Sequence, residues 1–170
     1  MTDDAEWVRR CLGREPRSRY AVVARDASGR PSVIRNEPLL DDGTPMPTRY
    51  WLIDPDLSRR IGTLEAAGGV DAAEADLGLD RLEALHRTYA DERDASIDPS
   101  HPGPRPFGGV GGTRVGVKCL HAHVAHLLAG GDDPVGRWVL DRLAATAATA
   151  ATAATAATAA TAPAVAGELR

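Results

Sequence analysis

The sequence predicts a single α+β domain, with a small antiparallel sheet near the N-terminus and several helices packed with it. Residues 20–24 and 32–36 are short apolar runs that flank a Gly-containing turn at 26–29, which is the pattern of a β-hairpin. After residues 54–55 the apolar period changes from two to nearly four, which is typical of helices. A length of 170 residues is also within the usual size of one domain.

The other elements are predicted from helix caps and glycine stops. A first amphipathic helix begins after Asp3, whose carboxylate can cap it, and ends at Gly13. A third strand is predicted over residues 49–53. Beyond it, helices lie on both sides of Gly68, and the second of them is interrupted near Gly78 because glycine is a poor helix former.

The C-terminal residues have low complexity, with threonine at every third position among alanines from Thr146 to Thr161. A helix turns about 100° per residue, so this period distributes the threonines around the axis and defines no apolar face. We therefore assign residues 1–143 to one globular domain. Residues 144–170 are expected to form a frayed helix or a disordered tail.

Composition argues against several classes of protein. A formal charge of −4 and a pI near 5.7 lack the basic excess expected of a nucleic-acid or anionic-membrane surface. Cys11 and Cys119 are too few for a disulfide scaffold, and the acidic start MTDDAEW is unlike a signal peptide. No apolar run approaches the roughly 20 residues of a membrane helix. We expect a cytoplasmic protein that binds neither nucleic acid nor membranes, and its protein partners are unknown.

The segment KCLHAHVAHLLAGG, residues 118–131, combines core-like leucines with a thiol and three imidazoles. Its Ala/Leu content and its glycine terminator predict a central, largely buried helix. On a helix Cys119, His123 and His126 share one face, whereas on a strand Cys119, His121 and His123 would do so. Buried histidines need hydrogen-bond partners, so a cluster of them beside a thiol favours a functional site over chance.

Two kinds of chemistry are open for this cluster. Zinc or another transition metal accepts sulfur and imidazole ligands. The candidate metal ligands are Cys119, His121, His123 and His126, and either a nearby carboxylate or His86, on the preceding predicted helix, would supply the remaining ligand. Alternatively, Cys119 is a nucleophile that Lys118 and the nearby base His123 activate for hydrolysis or group transfer.

A long Pro- and Gly-rich segment, residues 94–113, leads into this helix and is either a site-forming loop or a flexible linker. Its glycines match no phosphate-binding motif, because Val117 replaces the Walker lysine and Arg114 replaces the third dinucleotide-fold glycine. Gly111, Gly112 and Arg114 could still bind a small anionic ligand through backbone N–H groups. The competing interpretation is that the glycines only permit a tight chain path.

Three strings of the sequence, GGVGGTRVGVKCLHAH, LAGGDDPVGRWV and DDGTPMPTRYWL, resemble the uncharacterised bacterial family catalogued as domain of unknown function 501, common in actinobacteria. The resemblance covers residues 12–143 and brings no activity, ligand or catalytic residue with it. It implies at most a link to polyphosphate metabolism or cell division, because actinobacterial relatives are encoded near an exopolyphosphatase-like protein and a septum-formation initiator. Many relatives carry an aromatic residue in place of His126, which shifts weight to Cys119, His121 and His123.

The leading hypothesis places a site where residues 94–113 meet the Cys119 helix. That site binds a transition metal or uses Cys119 in thiol chemistry on a small anionic substrate. The rival hypothesis is a non-enzymatic interaction module in which the same side chains form a buried polar network. The sequence does not decide whether the protein is an enzyme.

Overall fold

A computed structural model describes residues 3–160, of which residues 152–160 are described as backbone only. The strands are β1 (Tyr20–Arg25), β2 (Pro31–Asn36) and β3 (Tyr50–Leu52). The helices are α1 (Asp4–Leu12), α2 (Pro55–Ala66), α3 (Gly69–Leu77), α4 (Leu79–Asp94), α5 (Leu120–Leu128) and α6 (Pro134–Ala160). The predicted α+β class is confirmed. The last part of the predicted tail, residues 161–170, lies outside the described residues.

The sheet is a three-stranded antiparallel meander in the order β1-β2-β3. The predicted hairpin turn is closed by Asp26, whose carboxylate accepts hydrogen bonds from the backbone N–H groups of Ser28 and Arg30. Helix α1 covers one face of the sheet, where Val8 packs with Ile34 of β2 in a small apolar cluster. This cluster is separate from the main core, which lies among the helices.

The predicted helix boundaries are confirmed where local caps define them. The carboxylate of Asp3 accepts a hydrogen bond from the N–H of Ala5, and Gly13 ends α1 with a φ of 68°. Gly78, with a φ of 77°, separates α3 from α4. Glycine adopts this left-handed conformation without the steric penalty that other residues incur. None of the helices within residues 3–160 is long and apolar enough to cross a membrane.

Helix α5 is the central helix that the sequence predicts. It packs against α6, α2 and β3, and Leu120 and Val124 are fully buried in the main core. Its first residue is Leu120, because Cys119 precedes the helix with an extended backbone (φ −158°, ψ 144°). Helix α6 begins at Pro134 and continues into the Ala/Thr segment.

The segment 94–113 is attached to α4 by two buried polar side chains. The guanidinium of Arg93, which is 1% exposed, donates hydrogen bonds to the carbonyl oxygens of Pro106 and Gly108 at 3.2 and 2.8 Å. The Nδ1 atom of His86 accepts a hydrogen bond of 3.2 Å from the N–H of Val110. These contacts, and the packing of residues 110–112 on α5, hold the C-terminal part of the segment against α4 and α5.

Candidate functional site

The side chain of Cys119 lies with His121 and with Glu65, a residue of α2. The sulfur of Cys119, a ring nitrogen of His121 and a carboxylate oxygen of Glu65 are all within 4.8 Å of one another. The prediction that Cys119 shares a helix face with His123 and His126 is wrong, because Cys119 precedes α5. Its sulfur lies instead with His121 and Glu65. We call Cys119, His121 and Glu65 the Cys-His-Glu group.

The ring of His121 is held at both of its nitrogens. Its Nδ1 atom is 3.2 Å from Oε1 of Glu65, and its Nε2 atom is 3.0 Å from the carbonyl oxygen of Ser58. A carbonyl only accepts, so Nε2 carries a hydrogen. The nitrogen that remains for the thiol of Cys119 is therefore Nδ1, the same atom that faces Glu65.

The environment of His121 favours its charged form. The adjacent side chain of Cys119 raises the pKa of His121 to about 9, and the Ser58 carbonyl and the charge of Glu65 act in the same direction against partial burial. A ring protonated at both nitrogens has no lone pair with which to remove a proton from the thiol. The arrangement therefore differs from a catalytic triad, in which one ring nitrogen faces the nucleophile and the other faces the carboxylate.

Glu65 also fixes the start of α5. Its Oε1 atom accepts a hydrogen bond of 2.6 Å from the backbone N–H of Leu120, the first residue of that helix. A carboxylate at this position satisfies an unpaired helical N–H and interacts favourably with the helix dipole. The same carboxylate thus holds α2 against α5 and places a negative charge beside the thiol of Cys119 and the imidazole of His121.

A pocket of about 210 Å³ opens beside the group. Cys119 and His121 line the pocket, whereas Glu65 does not, so the carboxylate lies behind the other two side chains. The remaining lining residues are Leu12, Thr48, Tyr50, Trp51, Leu52 and Ala122. The side chains of His121 and Glu65 are 31% and 25% exposed, so the group is accessible to a small ligand.

A second polar cluster is fully buried between α5 and α6. Asp133, which is 0% exposed, accepts hydrogen bonds of 3.0 Å from Nδ1 of His123 and of His126. It also caps α6 by accepting a hydrogen bond of 2.9 Å from the N–H of Gly136. Burial alone would raise the pKa of Asp133, but the two histidine hydrogen bonds and the Gly136 N–H outweigh it and lower the pKa to about 2.

The histidines of this cluster do not converge with other ligand atoms. The Nε2 atoms of His123 and His126 are buried, with no hydrogen-bond partner in the described part of the chain. The ring of His126 stacks on Tyr50 and meets Tyr89 edge-on, at centroid distances of 5.7 and 5.1 Å. Within residues 3–160, the Cys-His-Glu group alone brings three potential metal ligands together.

His86 is also fully engaged by the protein. Its Nδ1 atom accepts a hydrogen bond from Val110, and its Nε2 atom donates one of 2.8 Å to the carbonyl oxygen of Gly116. Burial lowers the pKa of His86, in agreement with a neutral ring that accepts at one nitrogen and donates at the other. The structure thus gives His86 the role of an anchor for the glycine loop, and its ring is 6.0 Å from that of His123.

The predicted anion-binding residues contact the protein itself. Lys118 donates a hydrogen bond of 3.2 Å to the carbonyl oxygen of Gly111, and the guanidinium of Arg114 lies 5.2 Å from the centroid of the Phe107 ring. The N–H of Gly112 is bonded to a carbonyl within the loop. Gly111 and Gly112 have φ values of 67° and 76°, so a tight chain path accounts for both glycines without a ligand.

Two acidic residues of the sites were missing from the sequence-based candidates. Glu65 follows the fully buried Ile61 by four positions, which places it on the inward face of α2. The spacing of four residues from Ile61 is the feature of the sequence that could have identified Glu65 as an inward-facing residue. Asp133 directly precedes Pro134, and nothing in its local sequence indicates that two histidines would share its carboxylate.

Acid should reduce stability through Asp133. Its pKa is about 2 in the folded protein and is ordinarily 3.8, so the unfolded chain binds the proton more readily. The resulting stabilisation, about 2 kcal/mol, is present above pH 4 and is lost as the pH falls toward 2. Urea unfolding measured between pH 5 and pH 2 should show a smaller loss in an Asp133→Asn variant than in the wild type. An exposed Asp141→Asn control should follow the wild type, and identical curves for all three proteins would contradict the assignment.

Comparison with known proteins gives one match. The profile of the family described as "Protein of unknown function (DUF501)" matches residues 22–141. This range confirms the resemblance seen in the sequence, and it includes Glu65, Cys119, His121 and Asp133. No curated protein and no solved structure shows a significant match.

Proposed function

Because this chain belongs to the DUF501 family, whose description names no activity, we propose its function from its geometry: it binds a divalent transition metal, preferably zinc, through Cys119, His121 and Glu65. The observation that carries the proposal is the convergence of sulfur, nitrogen and oxygen ligand atoms within 4.8 Å. Thiolate, imidazole and carboxylate are the three protein ligand types that zinc accepts.

The distances suit a metal after small side-chain movements. Zinc ligands at about 2.0–2.3 Å from the ion stand roughly 3.3–3.8 Å apart in a tetrahedron. The three atoms need to approach one another by about 1.5 Å at most to reach that separation, and His121 and Glu65 are partly exposed and able to adjust. A divalent ion would also balance the negative charges of a thiolate and a carboxylate.

The surroundings of His121 resemble those of a metal ligand. A metal-bound imidazole usually donates its other N–H to a carbonyl or carboxylate, which fixes the ring. Here the Nε2–H of His121 donates to the carbonyl of Ser58, which leaves Nδ1 for the metal. With three protein ligands, the fourth position would face the pocket lined by Cys119 and His121, as in zinc sites that bind water or substrate.

This proposal selects between the two chemistries that the sequence leaves open. The base that the sequence offered for Cys119, His123, is bound to buried Asp133, and the ring of His121 uses its other nitrogen on the Ser58 carbonyl, so neither has the geometry of a triad base. A metal needs only that the ligands lose their protons when it binds, which is the usual coupling. The buried network of His86, His123, His126 and Asp133 supports the rival hypothesis for those residues only, as structural elements.

Metal titration tests the proposed function. We expect the wild-type protein to bind one Co²⁺ per chain, with a sulfur-to-metal charge-transfer band in the near ultraviolet and tetrahedral visible bands. Cys119→Ala and His121→Ala should each weaken binding at least 100-fold, because losing a ligand should exceed the 10–100-fold cost of losing a second-shell partner.

Cys11→Ala is the matched control, since Cys11 is the other free, half-buried thiol and lies on α1 outside the group. This variant should bind Co²⁺ with wild-type affinity and an unchanged spectrum. Absence of stoichiometric binding by the folded wild type would refute the proposal, as would binding that survives both Cys119→Ala and His121→Ala.

A further inference from the structure

From the walls of the pocket we infer that the exogenous ligand of this site is a small, predominantly apolar molecule that carries one metal-binding group. This inference rests on the proposed metal site and adds the class of ligand. It also departs from the hydrophilic anion expected from the sequence, because no Lys or Arg side chain is among the residues that line the pocket.

The walls of the pocket come from three parts of the fold. Helix α1 contributes Leu12 from its last turn, the sheet contributes Trp51 and Leu52 of β3, and helix α5 contributes Ala122. Apart from Cys119 and His121, the polar groups of the lining side chains are the hydroxyls of Thr48 and Tyr50 and the indole N–H of Trp51. An open, mostly apolar cleft with a few polar groups is a common construction of a small-molecule site.

The cations that the sequence offered as anion partners contact other residues. Lys118 is bonded to the carbonyl of Gly111, and Arg114 lies over the Phe107 ring. Arg14 stacks on the Trp51 ring at 5.2 Å from its centroid but does not line the pocket. A free phosphate in the pocket would therefore lose its hydration without gaining a Lys or Arg donor from the walls.

The volume limits the size of the ligand. An apolar cavity of about 150 Å³ is large enough to bind benzene. The pocket of about 210 Å³ therefore has room for one ring, or a branched aliphatic group of similar size, with a short chain that ends at the metal. Binding should increase with each apolar carbon that enters the pocket until its volume is filled, because each carbon leaves water.

Ala122 is the residue expected to set this size limit. It follows His121 on α5 and is 8% exposed, so a larger side chain at this position would occupy space beside the metal ligand. Leu12 also lines the pocket, from the partly exposed end of α1. The two positions allow the pocket to be filled from either wall.

The test uses the Co²⁺-loaded protein and three probes: acetohydroxamate, benzohydroxamate and inorganic phosphate. The first two share a metal-binding group and differ in the ring, so their affinities report on the pocket. We expect benzohydroxamate to bind at least tenfold more tightly than acetohydroxamate, and phosphate to bind more weakly than both, as measured by changes in the visible spectrum of the cobalt.

Variants that fill the pocket test whether the preference for benzohydroxamate arises from binding there. Ala122→Leu and Leu12→Phe should retain Co²⁺ and lose most of the preference for benzohydroxamate, and the second variant serves if the first does not fold. Ala129→Leu, at the other end of α5 and outside the pocket, should keep the preference.

The outcomes separate the inference from the proposed function. Failure to bind Co²⁺ refutes the metal site and the inference with it. Normal Co²⁺ binding with equal hydroxamate affinities, with stronger phosphate binding, or with a preference that both pocket-filling variants retain, overturns the inference and leaves the metal site standing.

Discussion

Replacing Asp133 by asparagine should lower the free energy of unfolding by about 3 kcal/mol, the upper end of the cost of leaving a buried hydrogen-bond donor without its acceptor. Asp133 is fully buried and accepts hydrogen bonds from His123, His126 and Gly136. Asparagine has only one acceptor oxygen, so at least one imidazole N–H would face an amide NH₂ donor. The variant should therefore unfold at a much lower urea concentration, as followed by circular dichroism.

The neighbouring residue supplies the control for this experiment. Asp132 has the same side chain but is 89% exposed and paired with Arg137 at the surface. Asp132→Asn should change stability by less than about 1 kcal/mol, because exposed ion pairs contribute little. Equal destabilisation by the two variants would show that the buried cluster does not stabilise the fold in the way its contacts indicate.

Replacing Gly109 by alanine should destabilise the protein by about 3 kcal/mol or more, at the upper end of the cost of overpacking. An added Cβ would lie 2.3 Å from the Cβ of His86 and 2.5 Å from its Cγ. His86 is buried and bonded at both ring nitrogens, so its ring has no free direction in which to move. The cost is steric, because the φ of Gly109 is −94° and lies outside the left-handed region.

Gly62→Ala is the matched control for this prediction. Gly62 lies within α2, and a Cβ there would meet nothing within 4 Å. Alanine is the better helix former, so this variant should be more stable than the wild type by about 0.5–1 kcal/mol. Urea unfolding of both variants should give changes of opposite sign, and a neutral Gly109→Ala would mean that the loop and His86 are not in close contact in solution.

The helix and strand boundaries that the sequence predicts correctly are set by neighbours in the chain. Asp3 bonds to an N–H two residues away, and the left-handed glycines at 13 and 78 end helices without help from distant residues. The hairpin is similarly local, since Asp26 bonds to groups two and four residues ahead. Such features can be predicted from the pattern of residue types, because the interacting groups are only two to four residues apart in the sequence.

The composition of the Cys-His-Glu group could not be derived in this way. Leu120 and Glu65 are 55 residues apart, yet their hydrogen bond holds the start of α5. The sequence-based prediction placed Cys119 inside the helix, on a face that it shared with His123 and His126. Because the helix begins one residue later, Cys119 belongs with His121, one of the pairings that the strand alternative contained.

The sequence by itself therefore determined the α+β class, the central buried helix and the presence of a thiol and histidines at its start. Only the tertiary structure decided which histidine serves which site, because two carboxylates from other elements select among them. Glu65 of α2 engages His121, and Asp133 before α6 engages His123 and His126. The physical reason is that a buried or half-buried imidazole needs a hydrogen-bond partner, and the packing of the helices determines which acceptor lies within reach. The periodicity of residue types along one helix does not show which acceptor that is.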